Sequence, residues 1–162
     1  MSQHSPVRPR PIDDEISIAI VASLYNSLYV QGLLDAARDE LADLAPQAQL
    51  TVYRVPGAFE IPVCAEVVMR ELAPDVLIAF GVIIRGSTEH ADLVGSSVTD
   101  ALQRMAVRHA IPVIHEVLLV NSEDQAQERC LGLEMNRGAE AAQAAVSMVS
   151  LFRKMQDNFA TE

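Results

Sequence analysis

The chain predicts a doubly wound α/β domain, one parallel sheet with helices on both faces. Four short apolar runs, at 16–22, 50–55, 76–84 and 113–120, alternate with segments whose apolar residues recur at helical spacing. Such alternation implies parallel strands joined by right-handed crossovers. Half of the 162 residues are hydrophobic but only 4% are aromatic, so Val, Ile, Leu and Ala must build the core, as they do in strands buried on both faces. The run at 83–90 reads IIRGSTEH, an apolar stretch ending in glycine and two hydroxyl residues before a histidine. That is how a strand opens into a ligand loop at the start of a helix.

Each element has its own signal. Residues 1–14, MSQHSPVRPRPIDD, carry three of the eight prolines and no periodicity, which predicts a flexible, extended arm outside the fold, able at most to add an edge strand to a neighbour. The strand at 16–22 leads into a helix at 29–44 through Val30, Leu33, Leu34, Ala37, Leu41 and Leu44. The strand at 50–55 is followed by a Pro-Gly turn and a helix through Ala65, Val68, Met69 and Leu72. The third strand, 76–84, precedes a helix containing Leu93, Val94, Val98, Leu102, Met105 and Ala106. After the fourth strand come a short helix at about 122–131 and a longer Ala-rich one at 138–154. One domain over 15–156 and a flexible tail at 157–162 complete the expected organisation.

Charge and cysteine content narrow the function. With 22 acidic and 12 basic residues the formal charge is -10, a field that repels nucleic acid and anionic lipid. A bound phosphate would need local arginines and amides working against that field. Cys64 and Cys130 are far apart, with no metal-ligand spacing, and read as buried free thiols. No metal site is expected. No run is long enough to span a membrane and the N-terminus lacks a hydrophobic signal core, so a cytoplasmic protein is expected.

In doubly wound sheets ligands bind beyond the carboxyl ends of the strands. That rule selects the loops at 23–28, 56–60, 85–90 and 119–123. In the second, Pro56-Gly57 fits a type II turn with glycine at positive φ, and Glu60 opens a helix either as a capping carboxylate or as a ligand contact. In the third, Gly86, Ser87 and Thr88 offer amides and hydroxyls beside His90, a general acid or base within reach of a bound anion. His109 closes a helix near its C-terminal dipole, whereas His115 interrupts the fourth strand. Arg129, in the charged stretch EDQAQER, suits bidentate phosphate binding; Arg85 and Arg137 are the other anion candidates. Neither a Walker loop nor GxGxxG is present, which disfavours triphosphate and dinucleotide sites.

VPGAFEIP at 55–62, GVIIRGSTEH at 81–90, QAQER at 125–129 and NRG at 136–138, in this order and spacing, resemble the lumazine synthase family over about 16–152. The resemblance implies a flavodoxin-like three-layer sandwich with a four-stranded parallel sheet of order 2-1-3-4. It further implies a homo-oligomer built of pentamers, active sites between adjacent subunits, and 6,7-dimethyl-8-ribityllumazine as product. Its small-molecule substrates are 5-amino-6-(D-ribitylamino)uracil and 3,4-dihydroxy-2-butanone 4-phosphate. Carried onto this chain, Tyr25 stacks on the uracil beside Asn26, Gly57, Ala58 and Glu60 receive the ribityl chain, and the Ile83 and Ile84 backbone holds the pyrimidine. Ser87, Thr88 and a neighbour's Arg129 bind phosphate, and His90 transfers protons.

Three segments depart from the family pattern. His115-Glu116 stands where a Phe-Gly pair is usual, which implies that the neighbour's wall of the pyrimidine pocket is polar. Ala91 and Leu93 replace an aromatic pair, and Leu131 to Asn136 lacks the usual lysine. These changes leave open a non-catalytic paralogue that binds flavin or lumazine in the same oligomeric shell. An FMN carrier or response regulator has less support, because the first loop offers Ser23, Leu24, Tyr25 and Asn26 rather than an acidic cluster.

Overall fold

The structure, a computed structural model, describes residues 6–133 and 136–160. Residues 1–5 of the expected arm, 161–162 of the expected tail, and 134–135 between the last two helices lie outside the described residues. The elements run β1 (Ser17–Ser23), α1 (Ser27–Leu44), β2 (Gln49–Val55), α2 (Ile61–Leu72), β3 (Val76–Ile84), α3 (His90–His109), β4 (Val113–Val120), α4 (Glu123–Leu131) and α5 (Arg137–Ala160). All pairings are parallel and the sheet order is β2-β1-β3-β4, giving the flavodoxin-like sandwich that the resemblance implies.

Strand alternation divides the interior into two layers. Ile18, Ile20, Ile78, Phe80 and Val82 pack under α1, α4 and α5, while Ala19, Val21, Leu77, Ala79 and Val117 pack under α2 and α3. β3 is buried from Val76 to Val82, which explains its unbroken apolar sequence. Burying each such Val or Ile side chain stabilises the fold by roughly 1.5–3 kcal/mol.

Side-chain caps open α4 and α5. Ser122 Oγ accepts from the Gln125 amide at 3.3 Å, opening α4. Asn136 opens α5: its Oδ1 accepts from the Gly138 amide at 2.8 Å, and its Nδ2 donates to the Cys130 carbonyl at 2.8 Å. Gly138 is required there for space, since a Cβ would stand 2.0 Å from the Leu33 carbonyl oxygen of α1.

Both ends of the chain carry more structure than the sequence pattern indicates. α5 continues past Lys154 to Ala160. Residues 6–14 form no regular element, yet they are tied to α1: the Ile12 amide donates to the Leu44 carbonyl at 2.8 Å, and Arg8 pairs with Glu40 at 2.6 Å. Ile12 also packs on the core, so proline-rich composition here marks an irregular segment rather than a detached one. No helix among the described residues is long and apolar enough to cross a membrane.

Candidate active site

The carboxyl ends of β1, β2 and β3 converge on a cavity of about 780 Å³. Its floor begins at β1, where the Leu24 amide donates to the Val55 carbonyl at 2.8 Å and the Tyr25 amide to the Pro56 carbonyl at 3.1 Å. Asn26 follows in the left-handed region, φ 55°, which its short polar side chain tolerates. Its Nδ2 donates to the Val82 carbonyl at 2.7 Å, so the first loop is pinned to the end of β3.

The second loop is built differently from the predicted type II turn. Gly57 has φ −134° and ψ 176°, extended backbone open to any residue, and no described glycine has positive φ. Glycine serves here by lacking a side chain: a Cβ would lie 2.9 Å from Glu60 Oε2 and 3.3 Å from Tyr25 Cδ2. Its bare amide donates to Glu60 Oε2 at 2.8 Å across a 3-10 turn, Ala58–Glu60, that leads into α2. Glu60 therefore braces the turn as a capping carboxylate, and it also lines the cavity.

Tyr25, Asn26, Gly57, Ala58, Glu60, Ile83, Ile84 and His90 all line this one cavity. Phe59, Val82, Leu93, Val94 and Ser97 also line it. In the sequence Val94 carries only the signal of a helix face, Leu93 also replaces an aromatic residue of the family pattern, and Phe59 sits inside VPGAFEIP. Ser87 and Thr88 are exposed in the bend before α3 and do not line the cavity. His90, the first residue of α3, is exposed at its edge.

The arginines separate into bound and available. Arg85 is engaged by Asp92 at 2.5 Å and by Asn121 Oδ1 at 2.6 Å, which argues against its use as an anion ligand. Arg137 pairs with Glu140. Arg129 on α4 is half-buried and makes no ion pair among the described residues. It does not line the cavity, and neither does His115. No Arg or Lys lines the cavity at all, although Glu60 puts a carboxylate into it.

Arg129 is set apart by lying on α4, which packs on the other face of the sheet, and α3 sets His115 apart. His90, Leu93, Val94 and Ser97 face the cavity, whereas Gly95, Ser96, Thr99, Asp100 and Gln103 line a second hollow of about 570 Å³ with Val117 and Leu119 of β4. His115 lies on that second flank, where its Nε2 is 2.9 Å from Thr99 Oγ1.

Glu116 requires a correction. Strand alternation turns it to the opposite sheet face from His115, in register with Phe80, so the pair does not form one polar wall. Burial pushes its carboxyl up to about 7; Arg137 and Arg129 oppose that rise and Glu140 adds to it. His109 closes α3 as expected, and its Nε2 also lies 3.1 Å from Glu66 Oε1 of α2. Both cysteines are free; Cys130 is buried and Cys64 half-buried, and burial raises both thiols, Cys130 to about 11.

Residues 15–153 match the family described as 6,7-dimethyl-8-ribityllumazine synthase. A protein of that name from Chlorobium limicola is 39% identical over 141 residues, covering 86% of this chain and 91% of its own length. Another of that name, from Mycolicibacterium gilvum, is 40% identical over 153 residues, covering 93% and 94%. Matches of this extent include all four strands and every loop around the cavity. The chain belongs to the 6,7-dimethyl-8-ribityllumazine synthase family.

Proposed function

We propose that this protein is an active 6,7-dimethyl-8-ribityllumazine synthase, a cytoplasmic transferase of riboflavin biosynthesis, whose active site is completed by a second copy of the chain. The observation that carries the shared site is what the cavity lacks: it has an exposed tyrosine, a carboxylate and a histidine but no cation, while Arg129 on α4 and His115 on β4 lie outside it. A phosphate ester beside Glu60 needs a cation. Arg129 of the next copy supplies it when the β4 flank of one copy covers the cavity of another. Such a contact is head-to-tail, and repeated by rotation it closes into a ring, as in the pentamers that the family resemblance implies.

The exposed apolar side chains favour that arrangement. Tyr25, Phe59, Val63 and Leu93 are each more than half exposed, and all but Val63 line the cavity, an unusual surface for a chain that works alone. In the assembled site Tyr25 stacks on the uracil ring and Asn26 stands beside it. Gly57, Ala58 and Glu60 receive the ribityl hydroxyls, and the Ile83 and Ile84 backbone holds the pyrimidine. The Ser87 and Thr88 amides join Arg129 on the phosphate.

The 5-amino group of the ribitylaminouracil attacks the ketone of the butanone phosphate, and loss of water gives an imine. Elimination then releases phosphate, and attack by the ribityl-bearing nitrogen closes the second ring with loss of another water. His90 moves protons at the amine and at the carbon that loses its proton as phosphate leaves. Alignment of the two substrates supplies most of the rate. No metal or redox cofactor enters this scheme.

The test combines activity with complementation. Purified protein given both substrates should produce lumazine absorbance and stoichiometric phosphate; binding without product would instead favour a storage role. His90→Ala and Arg129→Ala chains, co-assembled in equal amounts and assayed below saturation, should recover about a quarter of wild-type activity, because random neighbours in a ring restore one site in four. No recovery, or a monomer at micromolar concentration by light scattering, would refute the shared site.

A further inference from the structure

The reaction scheme makes no use of the side-chain pair joining α3 to β4. Thr99 Oγ1 lies 2.8 Å from the Gly95 carbonyl oxygen, one helical turn earlier, and 2.9 Å from His115 Nε2. A hydroxyl has one proton and a carbonyl oxygen can only accept. The Thr99 proton is therefore committed to Gly95, and the second contact is favourable only when Nε2 carries a hydrogen and donates it to Oγ1. In neutral imidazole this leaves Nδ1 as the acceptor. Among the described residues His115 has no further partner, so Nδ1 is uncommitted.

Placement gives that nitrogen its meaning. β4 is an edge strand, paired only with β3 within the chain, and His115 is half-buried on it, next to the hollow on the far flank of α3 from its own cavity.

We propose that Thr99 is a positioning residue that locks His115 as the Nε2–H tautomer, so that β4 presents an Nδ1 acceptor to a ring N–H of the pyrimidinedione held in the neighbouring copy's cavity. This rests on the shared site proposed above and adds a specificity element to it. A phenyl ring at position 115 could cover the substrate ring but could not distinguish an N–H from an N-alkyl group. An imidazole with a fixed tautomer does, because an N-alkylated ring leaves the acceptor unpaired and meets it sterically.

Thr99→Val removes the hydroxyl at nearly constant shape, Thr99→Ser keeps it, and His115→Phe keeps a flat ring without the acceptor. Thr99→Val and His115→Phe should each raise KM for the ribitylaminouracil about 2- to 10-fold, the range expected of one net hydrogen bond. KM for the butanone phosphate and kcat should stay within about twofold, and Thr99→Ser should retain the wild-type values. The double variant should be no worse than His115→Phe alone, because the threonine acts through the histidine. Nitrogen-15 NMR of histidine-labelled wild-type protein, held where His115 is neutral, should report Nε2–H at His115, and Thr99→Val should release a tautomer mixture. A dominant Nδ1–H tautomer in the wild type, equal changes in both KM values, or no rescue by serine would overturn the proposal. Wild-type protein without lumazine synthesis would refute the function itself, whereas active wild type with an unaffected Thr99→Val variant would refute only the tautomer lock.

Discussion

Replacing Glu116 by glutamine removes a half-buried carboxylate while keeping its shape. In the folded chain burial holds this carboxyl at about 7, against 4.5 for the free side chain, with Arg137 and Arg129 offsetting part of the cost, Glu140 adding to it, and the Cys130 thiol nearby uncharged. A carboxyl whose folded value is raised binds its proton more tightly in the native state, so stability is intact below about 4.5 and declines as pH rises towards 7. At 1.36 kcal/mol per pH unit, the interval sets a ceiling of about 3 kcal/mol on the penalty above pH 7. Glu116→Gln should therefore be about 1–3 kcal/mol more stable than wild type at pH 8 and nearly equal to it at pH 4.5. Urea unfolding at both pH values, at one fixed protein concentration, measures the difference. A variant less stable at pH 8, or a difference that does not depend on pH, would show that the arginines already compensate the charge.

Three further predictions concern the site and the packing around it. His90→Ala should slow turnover by about 10- to 100-fold while leaving both KM values little changed, as expected for one acid-base group among aligned substrates; unchanged kcat would remove His90 from the chemistry. Arg129→Ala should raise KM for the butanone phosphate far more than for the ribitylaminouracil, and equal effects in steady-state kinetics would refute the phosphate assignment. Gly138→Ala should cost at least about 1–3 kcal/mol in thermal or denaturant unfolding, because its Cβ would meet the Leu33 carbonyl oxygen 2.0 Å away and backbone cannot step aside as a side-chain tip can; a stabilised variant would refute that packing.

The sequence carried the strand and helix pattern because apolar periodicity is a local signal and this sheet has few aromatic or polar interruptions to blur it. VPGAFEIP was legible as a site motif, but the reason for its glycine was not. Turn chemistry suggests positive φ after proline, whereas Gly57 is extended and kept small by Tyr25 and Glu60, one of them on a distant segment. The place of Glu116 is hidden for a related reason. Adjacent residues of a strand belong to opposite faces, so treating His115-Glu116 as one substitution joined two environments that the sheet separates. Thr99 carried no signal at all, since its meaning depends on a histidine sixteen positions away on another element.

The proposed docking of copies has to overcome their charge. Each chain carries a formal charge of -10, so two copies repel, and the anionic substrate is repelled by both. What draws copies together must then be short-ranged. Tyr25, Phe59, Val63 and Leu93 stand out from the surface around the cavity, and fully covering each one is worth roughly 1.5–3 kcal/mol, which salt does not screen. The repulsion between net charges is screened within about 8–10 Å at physiological ionic strength. Assembly should consequently tighten as salt is added, while capture of the phosphate by Arg129, a charge interaction at a partly exposed guanidinium, should weaken. The two steps respond to salt with opposite signs because they depend on different surfaces, apolar side chains at the mouth for docking and a guanidinium on α4 for the ligand.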